Sequence, residues 1–249
     1  MADSATNVDA LWDRFDSQDY YGHNYSHLRY DDAEIIGIVA DFFAGCFDRS
    51  PAPKRLATAI DVGSGTNLYP ALTMLPFSSQ VTLFERSHSN REWLSGALLR
   101  PQESWREEFW PAIAAGRPMY QPIRDPLDVL AGRAEVVRGN VFELEPDQFD
   151  VGTMFFVAES ITTQADEFRR AMQRFVDSLV PGGPFAAAFM RGSQGYLVGT
   201  TYFPAYPIDV EDVESALAPL ARIGRIARIE SHGLRDGYSG MIVATGWKK

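Results

Sequence analysis

The sequence predicts an α/β fold: a mostly parallel sheet with helices on both faces, closed by an antiparallel strand. Three observations carry this. From residue 56 onward, short apolar, β-branched runs alternate with longer amphipathic stretches, the pattern of strands joined by crossover helices. The first of these runs, "LATAIDVGSGTNLYPAL", passes from an apolar strand through two glycines one residue apart into a helical pattern. Near the end, "IGRIARIESHG" and "GYSGMIVATGW" are two strand-like runs close enough in sequence to form a hairpin, which puts an antiparallel strand at the far edge.

Taken in order, the first fifty residues read as helical. In "VDALWDRFDSQDYY", Leu11, Trp12, Phe15 and Tyr20 recur at roughly helical spacing, and "DDAEIIGIVADFFAGCF" is an amphipathic helix expected to end near Gly45. The polar, proline-containing "DRSPAPK" links this region to the first strand, "RLATAIDV". Next come helix "LYPALTML", strand "SSQVTLFERS" and helix "NREWLSGALL", followed by a stretch of mixed helical and loop character over about 100–133. Strands "AEVVRGNVF" and "FDVGTMFFVA", helix "ADEFRRAMQRFVDSLV", turn "PGG" and strand "PFAAAFM" continue the alternation. Helix "DVEDVESALAPL" precedes the closing pair. The reading is a helical N-terminal cap over 1–55 and a core over 56–249 with an insertion near 100–133. No internal repeat or low-complexity segment interrupts it.

Composition bounds the partners. The 249 residues suit one α/β domain with decoration. A formal net charge of −10 argues against a nucleic-acid partner, though it leaves room for a local basic patch. The single cysteine, Cys46, forms no internal disulfide and no cysteine metal site, and is expected to be buried and inert. The N-terminus "MADSATNVDALWDRFD" is acidic and unlike a targeting peptide, and no apolar run approaches the roughly 20 residues that span a bilayer. A soluble, cytoplasmic, monomeric protein acting on a small molecule is expected.

In sheets of this kind, ligands bind beyond the carboxyl ends of the strands. Gly63 and Gly65 let the backbone turn tightly and approach a ligand. The third glycine of a dinucleotide fingerprint is replaced by Leu68, and no Lys-Ser/Thr ending marks a P-loop. Glu85, about twenty residues on at the end of "VTLFE", places a carboxylate where it would accept both ribose hydroxyls. That pairing suits NAD enzymes and methyltransferases alike, and a plain structural turn with a solvated acid is the bland alternative.

Asp61-Val62-Gly63-Ser64-Gly65 followed by Tyr69 resembles the first motif of S-adenosylmethionine-dependent methyltransferases. It is most similar to the small-molecule group of nicotinamide, phenylethanolamine and thioether methyltransferases. "FDSQDYYGHNY", "IDVGSGTNLY", "SLVPGGPFAAAFM" and "QGYLVGTTYFPAYPIDVEDVESAL" carry the resemblance, which spans most of the chain and is patchy over 100–135. It implies a Rossmann-like seven-stranded sheet under an N-terminal lid, and S-adenosyl-L-methionine as cofactor. It also assigns roles. Tyr20 and Tyr25 lie in the lid, with Tyr25 and Tyr69 on the methionine carboxylate. Asp61, Gly63, Ser64 and Gly65 form the turn against the methionine portion. Glu85 holds the ribose, Asn90 lies near ribose or adenine, and Asn140 and Val141 flank the adenine. Phe155 and Phe156 face the transferring methyl.

The implied mechanism aligns an acceptor lone pair behind an already activated methyl for in-line displacement, so no nucleophilic residue is needed and a base serves only an acceptor that must lose a proton. Tyr20 and Glu159 are the candidate catalytic groups; Glu159 as a solvent-facing acid is the alternative. The family's fifth-strand acid is absent here, where Phe189 is counted into its place. With Phe156 and Tyr196 this suggests an aromatic, apolar acceptor pocket and a flat heteroaromatic or other largely apolar acceptor. His23 in the lid and Arg191 complete the substrate-side candidates, Arg191 alternatively facing solvent. His23 and His27, four apart, lack the acidic partner of a helical metal motif, so no metal is expected, and His232 has no constellation around it. Two other readings stay open: a non-catalytic module that binds S-adenosylmethionine or S-adenosylhomocysteine, and an NAD-dependent oxidoreductase. The latter is weakened by Leu68 and by the lack of a Tyr-x-x-x-Lys.

Overall fold

A computed structural model describes residues 6–8, 10–48, 57–231 and 239–249. The expected linker over 49–54, the start of the first strand and His232 lie outside the described residues.

The helices α1 (Ser17–Asn24) and α2 (Tyr30–Asp48) precede strand β1 (Ala57–Val62), helix α3 (Tyr69–Met74), strand β2 (Ser78–Glu85) and helix α4 (His88–Leu99). A π-helical turn (Trp105–Phe109), α5 (Trp110–Ala114) and α6 (Pro126–Arg133) fill the stretch read as mixed, before β3 (Ala134–Arg138) and β4 (Val151–Phe155). Then come α7 (Ala165–Asp177), β5 (Pro184–Met190), β6 (Gly195–Val198), β7 (Thr201–Pro204), α8 (Val210–Leu217), β8 (Ala221–Ile229) and β9 (Met241–Lys248).

Seven strands form one sheet in the order β3-β2-β1-β4-β5-β9-β8. All neighbours pair in parallel except those of β9, which runs antiparallel between β5 and β8. The strand order reverses between β1 and β4, so a crevice opens at their carboxyl ends. Central strands buried on both faces need near-continuous apolar sequence, as "ATAIDV" and "VGTMF" supply.

Side chains alternate across the sheet. Ala59, Leu83, Val151, Ala186, Ala188 and Val243 face α2, α3 and the 105–114 helices. Ile60, Met154, Phe185, Ala187, Phe189 and Ala244 face α7 and α8. Helix α7 buries Phe168, Ala171, Met172, Phe175 and Val176, one apolar stripe at helical spacing, while α8 starts at an Asp209–Asp212 capping box.

The N-terminal region differs in detail from one helical run. A short 3-10 turn (Trp12–Arg14) and an extended Phe15 precede α1, because the Asp16 side chain caps that helix by accepting from the Asp19 amide at 2.9 Å. Helix α2 continues through Gly45 to Asp48, and its Ile35, Ile36, Val39 and Phe43 are wholly buried in the core. Cys46 is half-buried on its last turn. The strand expected through "RGNVF" ends at Arg138, and Val141–Glu143 is a 3-10 turn started by the Asn140 side chain.

The β6–β7 hairpin is an element the sequence reading did not separate out. Its two-residue turn contains Gly199 at φ 55, a left-handed position that suits glycine. Phe203 and Tyr196 on the hairpin pack with Phe15, and Trp12 stacks on Phe203 at 5.3 Å between ring centroids. That cluster ties the turn before α1 to the hairpin.

Candidate active site

The crevice at the β1/β4 switch holds a cleft of about 770 Å3 including its open mouth. One wall is the turn after β1. Gly63 and Gly65 sit at φ 68 and 56, a region that L side chains rarely adopt. The Gly63 amide donates to the Phe84 carbonyl at 2.7 Å, and a Cβ on Gly63 would meet a Val157 methyl at 2.4 Å. Beneath the turn, Asp61 accepts from the Thr153 hydroxyl at 2.7 Å, and Ser64 donates back to the Asp61 carbonyl at 3.0 Å. Burial, opposed by those hydroxyls, pushes the Asp61 carboxyl up to about 7.

Glu85 ends β2 on the same rim. Its carboxylate accepts from the Gly65 amide at 2.9 Å and the Ser87 amide at 2.7 Å, so it is held in one orientation along the cleft wall. Burial raises its pKa above the usual carboxylate range, and those amides together with the Asn90 side chain pull the other way. Asn90 sits in the first turn of α4 and accepts from the Ser17 hydroxyl at 2.7 Å, tying α4 to α1.

Beyond Glu85, Asn140 and Val141 line the far end of the cleft. The Asn140 side-chain oxygen accepts from the Asn7 amide group at 3.2 Å and from the Phe142 backbone at 3.3 Å. Asn7 also offers its carbonyl to the Trp12 indole at 2.9 Å and to Arg86 at 3.0 Å. The chain before α1 therefore closes over this end.

The opposite end is aromatic. Tyr20, Tyr25, Phe155, Phe156 and Tyr196 converge there with Ser160 and Ile161. Phe156 takes φ 60 directly after β4, a strained conformation for a bulky residue and one that clusters at functional sites. Burial, reinforced by the neighbouring Tyr20 and Asp32, holds the Tyr25 phenol well above its usual range, so it remains a neutral donor. A side chamber opens past Tyr20, Tyr25 and Phe156, lined also by Asn24, Arg29, Asp32, Met190 and Met241. Asp32 is 3% exposed, and burial with the adjacent Asp31 raises its carboxyl to about 7. The Tyr69 hydroxyl donates to its Oδ1 at 2.9 Å.

No family model and no curated protein matches the sequence, whereas many solved structures share its fold. The 1,6-didemethyltoxoflavin-N1-methyltransferase of Burkholderia thailandensis, solved with 1,6-didemethyltoxoflavin and S-adenosylhomocysteine, superposes with a TM-score of 0.52. It is 14% identical and aligns over 94% of this chain and 84% of that one. The N-methyltransferase NodS of Bradyrhizobium japonicum, bound to S-adenosylhomocysteine, gives 0.52 at 10% identity over 88% of each chain. The [4+2]-cyclase SpnF gives 0.52 at 16% identity, over 87% and 80%. The chain has the class I methyltransferase fold.

On that fold, the structure gathers Tyr20, Tyr25, Gly63, Ser64, Gly65, Glu85, Asn90, Asn140, Val141, Phe155, Phe156 and Tyr196 around one cleft. Six expected residues lie elsewhere. Asp61 is buried under the turn and shapes it from behind. Tyr69 is wholly buried, stacked on Phe109 with its hydroxyl engaged by Asp32, so it does not reach the cleft. Phe189 points to the α7 face and packs on Phe168; the period-2 alternation of β5 gives the opposite face, and the side chamber, to Met190. The apolar pocket inferred from Phe189 therefore loses that wall. Glu159 is fully buried, accepting from the Met190 amide at 2.9 Å and the Ser160 hydroxyl at 3.1 Å, and so braces the ends of β4 and β5. Arg191 pairs with Asp209 at 3.2 Å at the start of α8. His23 is exposed on α1 outside the cleft lining, and His27 lies past the helix end against Glu108 at 3.1 Å.

The sequence reading missed Asn7, Trp12, Asn67, Arg86, Ser160 and Asp32. Trp12 and Asp32 each had a signal: an aromatic at helical spacing just before the resemblance-bearing N-terminal stretch, and an acid opening the apolar face of a helix. Asn7 carried none, since its partners, Asn140, Trp12, Arg86 and Glu167, are set by the fold and mostly distant in sequence.

Proposed function

We propose that this protein catalyses S-adenosylmethionine-dependent methyl transfer to a small aromatic or heteroaromatic acceptor. The observation that carries the reading is Glu85, a buried carboxylate fixed by two backbone amides beside the Gly63–Gly65 turn, at the strand-order switch. The residues present fit the cofactor. Glu85 suits a ribose diol, and the cleft at Val141 offers an apolar wall to a purine. The Tyr25 hydroxyl is a neutral donor for a carboxylate, and Thr66 keeps a buried hydroxyl without a partner among the described residues. The cofactor supplies an electrophilic sulfonium methyl.

This chain's residues then bind, orient and exclude water. Trp12, Phe15 and Tyr20 cover the cleft, and Phe156 and Tyr196 give a flat acceptor two ring faces against which to stack. Asp32 is the carboxyl group on the acceptor side, in a chamber whose other walls include Met190 and Met241. With Glu159 buried under the β-sheet ends, Asp32 takes over as the candidate proton acceptor, and its raised pKa suits a base near neutral pH.

Calorimetric titration with S-adenosylmethionine, S-adenosylhomocysteine and NAD tests the cofactor. Saturable binding of the first two is expected, weakened roughly 10- to 100-fold in Glu85→Ala, as for loss of charge-assisted hydrogen bonds. Binding of NAD alone would sink the reading. Methyl transfer to a panel of heteroaromatic acceptors separates an enzyme from a binding module, which would hold the cofactor and transfer nothing.

A further inference from the structure

A second cleft lies outside the site described above. Acidic residues outnumber basic ones by 33 to 23 in this chain, so an arginine on its surface has carboxylates to meet. Many do: Arg106 pairs with Asp125, Arg117 with Asp41, Arg170 with Glu167, Arg191 with Asp209 and Arg228 with Asp209. Four do not. Arg14, Arg86, Arg91 and Arg138 make no ion pair among the described residues, yet all four line one open cleft of about 1030 Å3 including its mouth.

They reach it from four places in the chain: the 3-10 turn before α1, the residue after β2, the second turn of α4, and the end of β3, where Arg138 is the sheet neighbour of Glu85. His88 joins them, and Asp13 is the one carboxylate in the lining, its Oδ1 already accepting from the His88 amide at 2.9 Å. Arg86 and Arg91 each donate one guanidinium N–H to a backbone carbonyl, of Asn7 and Arg86 respectively. This orients the two groups and neutralises neither.

Converging like charges is unfavourable unless an anion compensates it. Planar guanidinium forks match phosphate oxygens two at a time, which lysines do not. We propose that this cleft is a binding site for the phosphate or diphosphate group of a small molecule. Trp12 and Arg86 are common walls of this cleft and the main one. An anion that orders them also orders the covering of the main cleft, so the two sites are coupled, and the coupling is reciprocal.

The test is calorimetric titration with inorganic pyrophosphate, and separately with phenyl phosphate, against potassium chloride at matched ionic strength. One saturable site is expected, weakened about tenfold or more by Arg138→Gln and by Arg14→Gln, each charge-assisted contact being worth that much. Neither side chain makes a hydrogen bond or ion pair among the described residues, so both variants keep the melting temperature. Arg106→Gln and Arg170→Gln, at paired arginines elsewhere, leave binding unchanged. Tighter pyrophosphate assigns a diphosphate, and tighter phenyl phosphate a monoester. Heats equal to those of potassium chloride, or affinity unaltered in Arg138→Gln and Arg14→Gln, would overturn the proposal. S-adenosylhomocysteine binding is measured separately, so failure of the methyltransferase reading leaves this outcome legible.

Discussion

Phe156 stands at φ 60 at the tip of β4, a left-handed conformation that costs an L-residue roughly 1–2 kcal/mol. Its ring is half-buried against the core, a gain of similar size, so Phe156→Gly is expected to leave the melting temperature nearly unchanged while methyl transfer falls about tenfold or more. A large loss of stability with normal turnover would show that the residue only packs. The buried acids Asp32 and Asp61 make a different statement. Both carboxyls are raised to about 7 by burial, so the folded state holds protons that the unfolded chain releases near pH 4. Their stabilising effect is complete below that pH and is lost as pH rises towards 7. Thermal melts from pH 4.5 to 8 should therefore show falling stability, and Asp32→Asn should flatten the slope. An unchanged slope in that variant would assign the dependence to other groups.

Among the elements, the β6–β7 hairpin and the turn before α1 stabilise one another through Phe15, Tyr196, Val198 and Phe203. This cluster is a satellite of the main core, so breaking it should open the lid before it unfolds the sheet. Phe203→Ala is expected to speed amide exchange over 12–25 and 195–204 and to weaken S-adenosylhomocysteine roughly tenfold, with the β1–β5 amides still protected. Uniform loss of protection would place the hairpin in the main cooperative unit. The hairpin was difficult to read in sequence because its strands are four residues each and its partner is the lid. The period-2 pattern of β5 was legible, by contrast, but its phase was not. Whether Phe189 or Met190 faces the cleft depends on the neighbouring layers, and a one-residue offset reverses the answer.

For the whole molecule, the N-terminal region divides by what it touches. Helix α2 buries one face in the main core, whereas the residues before Asp16 pack on the hairpin and hold to α7, Arg86, Ser87 and His88 through a few hydrogen bonds around the cleft mouth. Deletion of residues 1–15 should therefore leave a cooperative melt and remove most of the affinity for S-adenosylhomocysteine. A truncated chain that no longer folds would make this segment part of the core. No helix among the described residues is long and apolar enough to cross a membrane.

By itself the sequence determined the alternation of strands and helices, the glycine turn with Glu85 on one rim, and the aromatic character of the cleft. Those features rest on local signals: side-chain period, the backbone freedom of Gly63 and Gly65, and a spacing set by one strand–helix–strand unit. Only the tertiary structure decided which polar groups remain available to a ligand. Tyr69 and Glu159 carry the right chemistry at fitting positions, but both are fully buried, the Tyr69 hydroxyl engaged by Asp32 and the Glu159 Oε1 by the Met190 amide, and neither lines the cleft. Asp32 and the four arginines of the second cleft were ordinary charges along the chain. Folding gave them meaning by burying the first and leaving the others without ion pairs among the described residues, because burial and pairing depend on distance in space, which sequence separation does not measure.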